Sequence, residues 1–211
     1  VDYTTYTGIR TAVQDELNRS DATDALVASF IRISEMRTYR SLRVPSMEKK
    51  QTLFVVSSED SDAEGAAFFY VPNRWLETIT LTNEDGSPIE YVSQQYFRGL
   101  TSAAGSSYTH FTREANKFLV WPEAEDNKVV MYYYERPLAG DAATNNAPAI
   151  YADVGEALFF GAVSEGWRYF REEEKHQYYR QLFAEVLEQL QEQHDQSDIS
   201  GATLITKNPY L

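Results

Sequence analysis

The stretch FIRISEMRTYRSLRVPSMEKKQT, residues 30–52, decides the architecture, because a helix gives way to a strand inside it. Leu26, Phe30, Ile33 and Met36 recur three to four residues apart, the spacing of a core-facing helical stripe. Pro45 biases Val44 away from the α region and ends that helix. The run TLFVV at 52–56 is β-branched and aromatic, the composition of a strand. The junction is also basic. Arg32, Arg37, Arg40, Arg43, Lys49 and Lys50 are six of only 19 Lys and Arg in a chain of net charge −13. Arg37, Arg40 and Arg43 fall at i, i+3 and i+6, one ridge of a helix. With no nucleophile, base or metal ligand suited to catalysis beside it, the ridge reads as a docking feature. It either forms ion pairs with the acidic C-terminal helices of its own chain or contacts a neighbouring subunit or partner.

Residues 4–44 read as helical throughout. Ile9, Val13 and Leu17 recur every fourth position, and Ser20-Asp21-Ala22-Thr23-Asp24 supplies caps for a second helix. Between 48 and 138 the runs TLFVV, AFFYV, WLETITLTN, PIEYV, KFLVWP and KVVMYYYER predict strands. Asn83–Gly86 and Ala124–Asn127 are hairpin signals. From Trp75, alternation predicts Trp75, Ile79 and Leu81 on a packed face and Thr78, Thr80 and Thr82 on a wet one. A short helix capped by Ser93 is predicted over 93–100, followed by a flexible loop over 101–107. After a linker at 139–148, one helix is expected near Tyr151–Phe170, with Val154, Leu158, Ala162 and Tyr169 on a face. Another is expected near Glu172–His194, with Tyr179, Leu182, Phe183, Val186 and Leu190. Glu172, Glu173 and Glu174 suit its N-terminus. The tail from Asp195 loses periodicity and ends ATLITKNPYL, polar and then apolar, a pattern that orders on a partner.

The expected fold is therefore α+β: a helical bundle formed by N- and C-terminal helices, with an inserted antiparallel β domain. Its parts are a helical segment at 1–47, the β domain at 48–138, helices again at 139–194, and an extended tail at 195–211.

Composition narrows the function. A pI near 4.7 argues against phosphate-seeking as the main activity, although an acidic wall lets a polyanion slide past. Without cysteine there is no disulfide framework, thiolate nucleophile or thiolate metal site. No apolar run reaches the roughly 20 residues of a membrane span, and VDYTTYTGIR lacks a signal-peptide core. The chain is thus expected to be soluble and made in the cytoplasm, with no membrane contact. Fifteen Tyr, 11 Phe and three Trp suit either a Tyr-rich sheet or aromatic subunit interfaces.

Catalytic and metal motifs are weak. Asp60-Ser61-Asp62-Ala63-Glu64-Gly65 resembles the front of a calcium loop, but the twelfth position is Val71, where a bidentate Glu is required. His110, His176 and His194 have no metal-ligand spacing. Ser102 and Ser164 are not in a nucleophile elbow, and the small residues around Ser164 suit close helix packing instead. No nucleotide motif is present, so no cofactor and no metal are expected. Among 32 Asp and Glu, a carboxylate pair for glycoside hydrolysis will arise by chance. A peptidoglycan or other glycan hydrolase is therefore the alternative reading, and a free-standing β module binding a glycan is a third.

The order of pieces resembles the head-to-tail adaptor proteins of tailed bacteriophages, among them the tail accessory factors. Tyr6, Leu17 and Asn18-Arg19-Ser20-Asp21 match near the start. Phe30-Ile31, Glu35, Arg37, Arg40, Leu42-Arg43 and Met47 follow the pattern FI..AE.R..R.LR...M, with Ser34 where Ala is common. Val71-Pro72-Asn73-Arg74-Trp75-Leu76-Glu77 resembles the turn lP.DfLE, from which Asn73 and Arg74-Trp75 depart. Pro88–Tyr91, Tyr133–Leu138 and Tyr151–Ala162 also match, so the likeness covers about residues 5–190. It implies a structural protein of the virion neck without catalytic turnover, assembled in the host cytoplasm. It implies a homo-oligomeric ring of twelve copies between the portal protein and the tail nozzle or tail tube protein, through which DNA passes without specific binding. The helices would face the portal and the β region the tail. The C-terminal segment, with Leu204, Ile205, Pro209, Tyr210 and Leu211, would reach onto the portal. Arg37, Arg40 and Arg43 would serve a subunit or partner interface. Around a channel, only lumen-lining carboxylates would repel DNA, since screening limits their reach to about 8–10 Å.

Overall fold

The computed structural model describes residues 2–57, 66–100, 104–124, 128–140 and 148–199. The possible calcium loop, the second hairpin tip and the tail beyond Ile199, with Leu204, Ile205, Pro209, Tyr210 and Leu211, lie outside the described residues, whereas residues 195–199, expected as extended tail, continue the last helix. In order, the elements are α1 (Tyr6–Leu17), α2 (Asp24–Ser41), a 3-10 turn (Pro45–Met47), β1 (Glu48–Phe54), β2 (Ala67–Tyr70), β3 (Trp75–Asn83) and β4 (Glu90–Tyr91). They continue with α3 (Gln94–Arg98), β5 (Ala104–Gly105), β6 (His110–Glu114), β7 (Lys117–Trp121), β8 (Glu123–Ala124), β9 (Lys128–Glu135), α4 (Tyr151–Tyr169) and α5 (Glu173–Ile199). The fold is α+β, and the chain divides into two compact units. One joins Val1–Met47 to Pro137–Leu211, and the other is Glu48–Arg136.

In the helical unit, hydroxyl caps start the helices where the sequence offers them. Thr5 accepts from Gly8 N before α1, and Thr23 accepts from Leu26 N before α2, each satisfying an orphan donor. Asn18, left-handed at φ 43°, closes α1. α4 is the axis of the unit: Val154, Leu158, Ala162 and Val163 are fully buried, and α1, α2 and α5 all pack on it. Its small residues permit close approach, as their pattern predicted. A Cβ at Gly161 would lie 2.2 Å from Ser34 Oγ, and one at Gly166 would lie 2.8 Å from Leu17 Cδ1.

Three expectations about helical faces need correction. α2 buries Val27, Phe30, Ile31, Ser34, Glu35, Thr38 and Tyr39, whereas Met36 is 41% exposed. The true face was hidden because polar residues occupy it. Ser34 fits against Gly161, and Glu35 is met by Tyr151 Oη (2.6 Å), Gly140 N (2.8 Å) and Arg32 Nη1 (3.2 Å). Tyr169 lies on the surface at the end of α4, where its ring packs on Phe30 and Phe170. The helix ends at Ser41, so Arg43 falls beyond it, after the extended Leu42.

The second unit is built on two principal sheets: an antiparallel one ordered β1-β9-β3, and one ordered β2-β7-β6-β4, in which β4 runs parallel to β6. Leu81, Phe69, Phe111, Phe118, Val129, Met131 and Tyr133 from both sheets form one core. In β9 the alternation is regular, with Val129, Met131 and Tyr133 buried. In β3 it is not. Register shifts between Trp75 and Glu77 and between Thr78 and Thr80 displace the pairing by one residue each. The core face therefore runs Asn83, Leu81, Thr78, Trp75, opposite Val129, Met131, Tyr133 and Glu135, and Ile79 is exposed. Alternation had placed Ile79 with Leu81, and a bulge cancels that rule. Ser93 caps α3 through Tyr96 N as expected, but Ala104–Gly105 is a strand paired to β8 rather than loop. Gly105 backs onto the Pro122 ring, where a Cβ would meet Cγ at 2.5 Å. β6 was not anticipated, because only Phe111 and Thr112 of its five residues are buried.

Asn83 holds the turn at the end of β3. It is 2% exposed, and its Nδ2 donates to Ser87 Oγ and to the Tyr108 carbonyl, both at 2.8 Å, while Oδ1 accepts from Tyr108 N at 3.0 Å. Asn83→Ala removes both of its hydrogen bonds to the Tyr108 backbone and is expected to destabilise the β unit by about 2 kcal/mol in urea denaturation.

The Glu35 site predicts a pH dependence. Burial first, then the hydrogen bond to Glu35, raises the Tyr151 phenol well above its ordinary 10.0, and burial followed by the Glu35 charge raises Tyr39. Raised phenols contribute stability that is fully present below the unfolded value near 10 and falls as pH climbs beyond it. Unfolding free energy is expected to drop above pH 10 by up to about 1.4 kcal/mol per pH unit per phenol. Tyr151→Phe should make that slope visibly shallower in denaturation series between pH 9 and 11.

Candidate functional site

The basic junction that opens the β region is largely satisfied within its own units. Arg32 pairs with Glu35, Arg37 with Glu165, and Lys49 with Glu135 at 3.1 Å, where Arg74 joins at 3.0 Å. Lys50 lies 5.3 Å from the Tyr132 ring. Arg43 folds back, its Nη1 donating to the carbonyls of Leu42 (2.8 Å) and Arg40 (3.3 Å). Arg40 has no anionic or aromatic partner among the described residues.

Arg40 instead opens onto a groove of about 480 Å³ in the helical unit. Arg37, Arg40 and Ser41 come from α2, Arg168 from α4, and His176, Arg180 and Phe183 from α5. Four guanidinium groups thus converge on one open cleft. Glu165, only 2% exposed, pairs with two of the lining arginines, Arg37 and Arg168 (Nη2, 3.2 Å), fixing both side chains. Arg40 and Arg168 stand in the last turns of α2 and α4, where cations complement the helix dipole. That accounts for their tolerance but not for Arg180, which has no ion-pair partner among the described residues. One carboxylate against four arginines leaves the groove positive in a chain of net charge −13.

Sequence reasoning named Arg37 and Arg40, and the structure brings them together; Arg43 does not line the groove. It missed Arg168, Arg180 and Glu165, which belong to helices more than 100 residues further along. No spacing rule links them.

His176 and Ser164 are also brought together. Ser164 Oγ lies 3.0 Å from His176 Nδ1, and that nitrogen is itself 3.0 Å from the Ser164 carbonyl. Both residues are buried, and the hydroxyl can donate to the His176 carbonyl at 3.3 Å. The reciprocal bonds staple α4 to α5, and the hydroxyl is engaged by backbone rather than presented to a substrate. Another cleft, between α1 and α5, places Lys175 3.9 Å from the Trp167 ring and joins Tyr179 Oη to Glu16. Among the described residues no cluster of three His, Asp or Glu is placed to hold a metal, and no helix is long and apolar enough to cross a membrane.

Glu165→Gln removes the anchor between Arg37 and Arg168. Both guanidinium groups are about half exposed and can relax into water, so the expected loss is about 1–2 kcal/mol in chemical denaturation.

The chain has a match among known families. The profile of the SU10 adaptor protein family matches residues 4–205, nearly the whole chain. Curated proteins yield no match. The match spans both units, and the chain therefore belongs to the SU10 adaptor protein family, structural adaptors of bacteriophage heads and tails.

Proposed function

We propose that the protein forms a ring between the portal protein and the tail nozzle or tail tube, with DNA passing through the centre. Family membership over residues 4–205 carries this reading, since the family consists of virion structural adaptors that contact other head and tail proteins. Two further observations support it. The helical unit presents a cationic groove on an otherwise acidic chain, a usable half of a heterologous contact. Tyr70, Tyr91 and Tyr96 of the β unit are more than half exposed, the kind of ring that interfaces recruit. Twelve copies is the number that the likeness to head-to-tail adaptors implies. Assembly in the host cytoplasm belongs to the same reading.

In this proposal the segment containing Leu204, Ile205, Pro209, Tyr210 and Leu211 docks on the portal and makes assembly depend on it. The protein acts by contact and turns over no substrate.

Light scattering after size exclusion tests the reading. The chain alone is expected to run as a small species and, with portal protein, to add as a stoichiometric ring. A chain that remains monomeric beside portal overturns the ring. Deleting Ser200–Leu211 should abolish docking, and docking at wild-type level removes the tail's role. Pure protein should leave a peptidoglycan suspension turbid; sustained clearing would favour the hydrolase.

A further inference from the structure

We infer that the arginine groove receives the outer acidic stripe of α5 from a second copy of this chain. This rests on the ring proposed above and names the contact that would close it. The groove is prepared for an anion. Glu165 holds Arg37 and Arg168 in place, while Arg40 and Arg180 face the cleft with no anionic partner among the described residues. Guanidinium groups so close together repel one another, and a carboxylate-bearing surface lowers that cost through paired hydrogen bonds.

The same chain carries such a surface. At about 100° per residue, Glu174, Tyr178, Gln181, Glu185, Glu188 and Glu192 fall along one face of α5. All six are exposed, and Tyr178 is 59% accessible. Glu185 accepts from Gln181 at 2.9 Å, but none of the four glutamates has an ion-pair partner among the described residues. Lys175, the nearest cation in sequence to Glu174, is turned onto Trp167 instead. The stripe extends about 27 Å along the helix. It lies roughly 120° around the axis from Arg180, so a copy cannot fold its own stripe into its own groove. Donor and acceptor surfaces are therefore separate patches of one molecule, the requirement for a head-to-tail contact that can close into a ring. Half-buried Phe183 at the groove offers Tyr178 an apolar contact beside the charges.

DNA phosphate is the less favoured occupant. The chain's net charge of −13 and the exposed stripe on the same helix both repel a polyanion.

Reciprocal charge reversal tests the inference in the full-length chain. One variant carries Arg40→Glu and Arg180→Glu; the other carries Glu188→Arg and Glu192→Arg. All four positions are exposed, so both variants are expected to retain wild-type circular dichroism. Self-association is read by sedimentation velocity at low salt, and ring formation by co-sedimentation with portal protein. Each variant alone should associate at least about tenfold more weakly than wild type. Their equimolar mixture should recover association, because each groove then meets a stripe of opposite charge. Loss in either variant without recovery in the mixture overturns the inference, as does wild-type assembly by the groove variant. If wild type assembles and the reversals have no effect, this contact fails while the ring stands. If wild type assembles neither alone nor with portal, both fall. Duplex DNA binding by wild type that disappears in Arg40→Ala/Arg180→Ala, with self-association unchanged, would reassign the groove to phosphate.

Discussion

The helical unit depends on the seam where α2 meets α4. Within four residues of α2 the seam changes character three times. Ser34 leaves room for Gly161, Glu35 accepts from Tyr151 and Gly140, and Arg37 reaches Glu165. A shape constraint, a buried hydrogen-bonded carboxylate and the ion pair of a half-exposed arginine therefore act within a single turn of α2. Because the two helices of the seam lie on either side of the β unit in sequence, forming it also returns the chain to the bundle after that unit. Residues 48–136 are an insertion for that reason, each of their ends being tied to the same set of helices.

Burying a carboxylate is costly unless it is paired and hydrogen-bonded. Glu35 and Glu165 meet that condition differently. Glu35 collects a phenol, a backbone amide and Arg32, and so ties Gly140 and Tyr151 to α2. Glu165 collects only guanidinium groups, and so fixes the wall of an open groove. The first arrangement serves folding. The second also organises positive charge at the surface, where an acidic protein has little of it to place. This difference makes the groove, rather than the basic junction as a whole, the feature suited to docking.

The β unit solves a separate problem. Two register shifts in β3 bring Thr78 to the core side and leave Ile79 outside, while Trp75 and Leu81, six residues apart and on one face by plain alternation, both stay in the core. Asn83 then ties the end of β3 to Ser87 and Tyr108 through its side-chain amide. The aromatic excess divides accordingly: Tyr108 and Tyr133 are buried, while Tyr70, Tyr91 and Tyr96 remain at the surface.

The sequence by itself determined the succession of helices, strands and helices, the caps at Thr23 and Ser93, and the α+β class. These are written in local periodicity and in hydrogen bonds spanning three residues. It also determined the family resemblance, which is a matter of ordered residues. Only the tertiary structure decided which face of α2 is buried, because Glu35 and Ser34 look exposed until Tyr151 and Gly161 come to meet them. Only it decided the phase of β3, since a bulge has no fixed signature in alternation. The groove was half legible: Arg37 and Arg40 share a helix and a spacing, but Arg168, Arg180 and Glu165 join them through packing alone. Charge convergence across three helices is a property of distance in space, and sequence separation carries no record of it.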